Sequence, residues 1–504
     1  MFNSIPLLTI LALLPLVGAL VLLLLKGNAG KLVGLGFAFT TTILGVVAFV
    51  LSLNTSLVED VEWIPAIGAH YALQFDGLTG VLVLLTVILV PVVLIAEWNV
   101  GEAPEARWST RTFFALALTM QSFALFVFMA GDLLVFYIMF EATLIPMYFL
   151  IGGWGGARRG PAAMKFLLVS LAGGLVMLVG VAGVYAVGAQ QGQVSFLLSD
   201  LAALDFSGSL GNWLFAAFFF AFALKAPLVG LHTWLPDAAE QARAGASTLL
   251  VGILDKIGTF GMIKVCLLVF PEASQWATPV IIVWAVVSMI YGALMAIGSK
   301  DLLRFVSYTS ISHFGFMVFG IFAMTTQSLT GAIFYMMTHG FSTAALFLVV
   351  GFLVQRRGSA EVTAFGGVQK VAPVLAGFLL VAGLSTLALP GMASFVSEFL
   401  AMAGSWQRYP IHAAVITLGM VLAAVYVLTV YQRTMTGPVT PQTAEHITHD
   451  LSLRERAAVA PLIVLLLVFG FYPKPILDVV DETAAGVMSV IGVTDPAPQI
   501  QEGN

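Results

Sequence analysis

The amino-acid sequence predicts an all-α polytopic membrane protein of about fourteen transmembrane helices, with two inverted five-helix repeats and discontinuous helices 7 and 12. Three observations predict it. The chain is 60% hydrophobic and only 9% charged; apolar runs of about 20 residues recur along its whole length; and two helix-breaking sites fall at matching places in its two halves. A soluble chain of 504 residues would need far more polar surface to cover its domains. Each run can cross roughly 30 Å of hydrocarbon at about 1.5 Å per residue, and no stretch remains for a soluble catalytic domain.

The first run, Pro6 to Leu25, lacks the basic start and small-residue cleavage site of a signal peptide and reads as a retained helix. It opens an N-terminal group of three spans (residues 1–110), centred near residues 15, 42 and 87. Spans centred near 121, 142, 175, 223 and 258 form the first repeat (111–271), and those near 288, 313, 341, 388 and 422 the second (272–434). Residues 435–504 hold a loop, a span near 465 and a C-terminal tail. With an outside N-terminus, the loops beginning near Lys26, Glu97, Gly152, Thr233, Gly298, Gln355 and Arg433 face the cytoplasm. They carry all but five of the 21 basic residues: Arg408 and Lys474 fall outside, and Lys225, Lys256 and Lys264 lie within spans. This positive-inside bias puts both termini on the outer, periplasmic side of the cell membrane. The acidic stretch with Glu59, Asp60, Glu62 and Asp76 becomes an external loop.

Pro227 interrupts the seventh span, and Leu389-Pro390-Gly391 interrupts the twelfth. Proline removes a backbone donor and frees carbonyls that need partners at membrane depth. A single break is an ordinary proline kink. Two breaks, each in the fourth helix of five and each near an ionisable residue, point to an internal repeat with a transport site; an odd number of spans per repeat makes the two halves inverted.

Six ionisable residues lie too deep to snorkel to an interface. Glu141 is in the span FYIMFEATLIPMYFLI, Lys225 in AFALKAPLVGLHTWLPDA, Lys256 in LLVGILDKIGTFGMIKV and Glu398 in LPGMASFVSEFLAMAG, with His313 and His339 midway along their own spans. A charge at a helix centre costs about 2.5–3.5 kcal/mol on insertion scales. These residues must therefore face one another, water or backbone dipoles inside the bundle, as proton relays do. Glu141 and Lys225 could instead form a static ion pair, and the histidines could be hydrogen-bonded core residues or, as a facing pair, haem ligands. Asp255 precedes Lys256, but helix neighbours point about 100° apart and need not pair. Lys264, two turns beyond Lys256, could extend the line or snorkel outward.

Other chemistries lack their signatures. The lone Cys266 allows no intramolecular disulfide, CxxC metal site or cysteine-held iron–sulfur cluster. The net charge of −5 forms no basic patch for nucleic acid. His446 and His449 in EHITHD read as a solvated loop rather than a metal pair, and GGWGGARRG is a cytoplasmic turn without a P-loop lysine. No nucleophile stands beside a base with recognisable spacing. The chemistry left is moving a charge.

The stretches FYIMFEATLIPMYFLIGGWG, AFALKAPLVGLHTWLPDA, SYTSISHFGF, MMTHGFSTAALFLVVG and LPGMASFVSEF, between about Asp132 and Phe399, make the chain similar to the antiporter-like membrane subunits of respiratory NADH:quinone oxidoreductase, complex I, above all to the M-type. The resemblance implies that Glu141 is the glutamate paired with Lys225, that Lys256 is the central relay lysine, that His313 and His339 lie on a polar axis, and that Glu398 releases the proton outside. Related L- and N-type subunits typically carry lysine at this last position, and the L-type adds a long C-terminal lateral helix; this chain stops at Asn504. Asp255 departs from the family pattern. The resemblance further implies a non-redox proton-pumping subunit between L-type and N-type neighbours, without cofactors of its own, while other subunits handle FMN, iron–sulfur clusters and quinone. The rivals are a subunit of a multisubunit Na+/H+ antiporter, or of a membrane-bound hydrogenase, and a structural scaffold with static ion pairs.

Overall fold

The computed structural model describes residues 6–25 and 27–496; Lys26 and the end of the expected tail lie outside the described residues. Helices α1 (Leu7–Leu24) and α2 (Gly27–Ser52) leave Leu20, Leu23, Ile43 and Val50 exposed, as lipid-facing residues are. The stretch expected to be an external acidic loop is an ordered antiparallel hairpin, β1 (Leu57–Ile64) and β2 (Ala69–Phe75), turning through Gly68 at φ 65°. Glu59 fastens it to the start of α1 by accepting from the backbone N–H groups of Leu8 and Thr9 at 2.6 and 3.1 Å.

Across the hairpin, the His70 ring nitrogen Nδ1 lies 2.7 Å from Asp60 Oδ1, and this hydrogen bond holds the imidazole above its ordinary pKa. A group raised on folding contributes most below its unfolded pKa, about 6.5, and loses that contribution as pH rises through the folded value. Amide hydrogen exchange in the hairpin, corrected for intrinsic rates, is therefore expected to accelerate on going from mildly acid to mildly alkaline pH. In Asp60→Asn this excess should vanish; the same acceleration in the variant would show that the pair is not its source.

Asp76 caps α3 (Gly77–Ala96) by accepting from Thr79 N–H at 2.9 Å. Ser109 caps α4 (Thr110–Met129), and Asp132 caps α5 (Leu133–Ala142), which runs through Thr143 into α6 (Leu144–Gly153). Then follow α7 (Arg159–Gln190), the short α8 (Leu198–Leu201) and α9 (Gly208–Lys225). Helix α9 ends at Lys225, and the chain re-enters helix only at α10 (Trp234–Gln241) and α11 (Ala244–Leu249). Two π-helical stretches, Leu250–Leu254 and Met262–Leu267, flank α12 (Lys256–Gly261).

The second half runs through α13 (Pro271–Gly298), α14 (Leu302–Phe322), α15 (Thr326–Arg357), α16 (Pro373–Thr386), α17 (Ala393–Trp406) and α18 (Pro410–Met435). The short α19 (Pro441–His446), α20 (Leu453–Phe471) and α21 (Lys474–Ile491) complete the chain. Residues 387–392 separate α16 from α17, with Ala388 at φ 56° and Gly391 at φ 96°.

Among the described residues, 11 helices are long and apolar enough to cross a membrane, or 12 when α20 and α21, bent by 71°, count as one span. The expected centres near 258 and 388 fall on interrupted segments: the first is broken by π turns and carries Asp255, Lys256 and Lys264, and the second is split into α16 and α17. Helices buried all round form the centre of a bundle. Here α14 is buried along its length except at Arg304, and α15 and α3 are buried over most of theirs.

Helix α21 replaces much of the expected tail. It buries Ile476, Val480, Ala484, Val487, Met488 and Ile491 on one side and packs against α15 and α3. Gly77 permits the approach, since a Cβ there would lie 2.6 Å from the Val479 carbonyl oxygen.

Candidate functional site

Ionic contacts join several helix ends and loops. At one end Arg304 joins Asp237 and Glu240 at 2.9 and 2.6 Å, Lys165 joins Asp237 at 2.6 Å, and Arg243 joins Glu97 at 3.3 Å. Burial alone would lift the Asp237 carboxyl, but hydrogen bonds from Lys165 and Arg304 hold it below the usual range. Lys264 belongs to neither this end nor a buried line: it pairs with Asp76 beside the cap of α3.

Between the two ends lie the six expected residues. Glu141 is half-buried at the end of α5, and its carboxylate occupies the space above Gly174 of α7, where a Cβ would meet Oε1 at 1.6 Å. Lys225 is fully buried at the last residue of α9, with Nζ 5.4 Å from the Phe140 ring centroid and 5.6 Å from that of Phe166. Neither Lys225 Nζ nor Glu141 Oε1 has a hydrogen-bond partner among the described residues. The expected pair is thus open, and two aromatic faces, attractive to a cation, flank the ammonium. Side chains serve part of the backbone around the break after Lys225: Trp234 Nε1 donates to the Leu224 carbonyl at 3.2 Å, the Val229 N–H donates to Ser288 Oγ at 3.0 Å, and Trp284 Nε1 donates to the Val229 carbonyl at 2.9 Å.

Lys256 is bonded on two sides. The π turn before it takes the Asp255 N–H to the Leu250 carbonyl at 3.1 Å, leaving the Val251 carbonyl to accept from Lys256 Nζ at 2.7 Å. Lys256 Nζ also meets His339 Nδ1 at 2.8 Å. When Lys256 is an ammonium it can only donate, so His339 then accepts at Nδ1 and its Nε2–H donates to Thr343 Oγ1 at 3.0 Å. Two glycines make the approach possible: a Cβ on Gly340 would lie 2.5 Å from Leu85 Cδ1 and 3.2 Å from the Gly252 carbonyl oxygen.

From His339 the polar line continues along α15. The rings of His339 and His313 meet edge to face at 5.2 Å, and Tyr335 lies 5.8 Å from His313 and 5.9 Å from His339 between ring centroids. His313 Nε2 bonds the Tyr426 hydroxyl at 3.2 Å, and the Tyr335 hydroxyl donates to Glu398 Oε1. Glu398 is buried in the second turn of α17, after the second break. Lys256, His339, Tyr335 and Glu398 thus form one string of contacts, with His313 beside it. Imidazoles in edge contact and already hydrogen-bonded leave no slot for a haem between them.

Sequence reasoning missed Tyr335 and Tyr426. Inside apolar runs they look like packing residues, and the signal available was that a buried tyrosine hydroxyl needs a partner. Asp255, left without a place by the sequence, is wholly buried, and neither of its carboxylate oxygens has a partner among the described residues. Among the described residues His446 and His449 bond locally, to the Gln442 carbonyl at 3.0 Å and Thr448 Oγ1 at 3.4 Å.

Residues 130–423 match the family described as NADH:quinone oxidoreductase/Mrp antiporter, TM. The chain is 44% identical to NADH-quinone oxidoreductase subunit M of Mycobacterium tuberculosis (strain ATCC 25618 / H37Rv), over 99% of this chain and 97% of that protein. Among solved structures it is similar to a chain of respiratory complex I from Thermus thermophilus with bound NADH, at TM-score 0.87 and 30% identity, covering 96% of this chain and 100% of that one. A chain of the Mrp complex from Dietzia sp. DQ12-45-1b shares the fold at TM-score 0.84 and 21% identity, covering 97% of this chain and 100% of that one.

Proposed function

Because the chain belongs to the NADH:quinone oxidoreductase/Mrp antiporter membrane family, as one of its subunit M members, we propose that it conducts protons across the membrane arm of an NADH:quinone oxidoreductase through Glu141, Lys225, Lys256, His313, His339 and Glu398. The carrying observation is the string of contacts from Lys256 through His339 and Tyr335 to Glu398, together with a buried Lys225 whose Nζ has no bonded partner among the described residues. The two halves, 111–271 and 272–434, act as inverted repeats, each with its broken helix at the line. Protons enter from the arginine-rich cytoplasmic end and leave from Glu398 on the outer side, where both termini lie. FMN, iron–sulfur clusters and quinone belong to partner subunits, and L-type and N-type subunits flank this one.

The drive is the opening and closing of the Glu141–Lys225 pair. Moving one charge against 100 mV takes about 2.3 kcal/mol, and leaving a buried charge without its partner costs about 3–5 kcal/mol. A signal from quinone chemistry that changes the distance between Glu141 and Lys225 is therefore sufficient to drive the proton onward to Lys256. The 44% identity to a subunit M over nearly the whole chain favours this assignment over an independent antiporter, and the open Lys225 site favours it over a scaffold of static ion pairs.

Glu141→Gln and Lys225→Ala are each expected to leave the complex assembled but to lower NADH-driven proton uptake in membrane vesicles. Both variants assembling fully and pumping at the normal proton-to-electron ratio would overturn the relay.

A further inference from the structure

Two lysines on the line are not joined by any bond. Lys225 Nζ has no hydrogen-bond partner among the described residues, and Lys256 Nζ spends its bonds on the Val251 carbonyl and on His339 of α15. Asp255 is buried next to Lys256 at the start of α12. Gly258, one turn along α12, presses on the end of α9 so closely that a Cβ would stand 2.6 Å from both the Ala226 nitrogen and the Phe222 carbonyl oxygen. Residues three apart share a helix face, so Asp255 faces the end of α9 that carries Lys225. Lys256, about 100° round the helix, faces α15 and His339. The Asp255 carboxylate is within electrostatic reach of both lysines.

A structural counter-ion would close on its cation. Buried charges are stable only when paired and hydrogen-bonded, yet both oxygens of Asp255 are buried without a bond among the described residues. A group held this way, beside two bases and bonded to neither, suits a carrier.

Resting on the relay reading above, we propose that Asp255 is the proton station between Lys225 and Lys256, linking the first half of the protein to the second. Lys225 as ammonium gives one proton to the Asp255 carboxylate, leaving a neutral amine and a neutral carboxyl. The carboxyl then gives that proton to neutral Lys256, which becomes the ammonium, and Asp255 returns to carboxylate. One cation and one anion are present before and after, so the trio keeps zero net charge while the proton crosses from α9 to α12. Direct transfer between two amines would have no anion between them to hold the proton midway.

The test uses the intact complex in membrane vesicles, with Asp255→Asn, Asp255→Glu and Lys256→Met. Asp255→Asn keeps the shape and cannot carry the proton; its NADH-driven proton uptake is expected to fall roughly tenfold or more. Asp255→Glu keeps the carboxyl and should hold uptake within about twofold of the parent. Normal uptake in assembled Asp255→Asn, with uptake abolished in Lys256→Met, would overturn the station and leave the relay standing; normal uptake in both would overturn the relay itself. Loss in both Asp255 variants with assembly intact would mean that shape rather than proton carriage matters, and would also overturn the station. If Asp255→Asn fails to assemble, the solvent deuterium isotope effect on turnover of Asp255→Glu decides: a changed effect supports the station, and an unchanged one overturns it.

Discussion

Lys256→Met is expected to abolish NADH-driven proton uptake while the complex still assembles. Methionine fills nearly the same volume and brings no charge of its own. What it removes is the donor to the Val251 carbonyl and to His339 Nδ1. Each buried acceptor left without a bond costs about 1–3 kcal/mol, a lowered melting temperature rather than a lost fold. The catalytic cost is larger, because losing a positioned acid–base group lowers rates by roughly 10²–10⁴-fold. Quinone-dependent NADH oxidation and dye-reported proton uptake, read on the same vesicles, separate the two effects. Uptake at the parental ratio would remove Lys256 from the line.

Gly258→Val should be nearly as damaging for a different reason. The new Cβ would press on backbone, the Ala226 nitrogen and the Phe222 carbonyl at 2.6 Å each, and backbone cannot rotate away. Overpacking of this kind costs about 1–3 kcal/mol, and here it also pushes α12 off α9, widening the gap between Asp255 and Lys225. Lower thermal stability together with weakened proton uptake is expected. Gly486→Ala is the control: a Cβ there meets nothing within 4 Å, so neither property should change. Parental stability and pumping in Gly258→Val would show that the α9–α12 contact is not critical.

Much of the buried line was legible in the sequence because the membrane makes errors expensive. A lysine or glutamate in mid-span has few tolerable surroundings, so Lys225, Lys256 and Glu398 declare themselves, and Pro227 and Pro390 mark the breaks by simple backbone chemistry. The illegible parts depend on pairing across the chain. The partner of Lys264 is Asp76, 188 positions away, and the Tyr335 hydroxyl meets Glu398 only because α15 and α17 lie side by side. The acids around Glu59 hid a hairpin, since its alternation is short and half polar. Helix α21 escaped because its apolar face is only one side of an otherwise acidic segment. The π turns that free the Val251 carbonyl leave no mark in residue type.

The burial of α15 has a mechanical consequence. His339, Thr343 and Tyr335 ride on one unbroken helix of 32 residues, so their spacing is set by the rigidity of the helix itself, as marks are set along a ruler. Compliance is concentrated where helices end or loosen: at Lys225, at the π turns beside Asp255, and at residues 387–392. The first two soft points hold Lys225 and Asp255, and the third lies six positions before Glu398, so a displacement taken up at any of them would change the separation of buried charges, while the rigid helix between them would keep its own spacing.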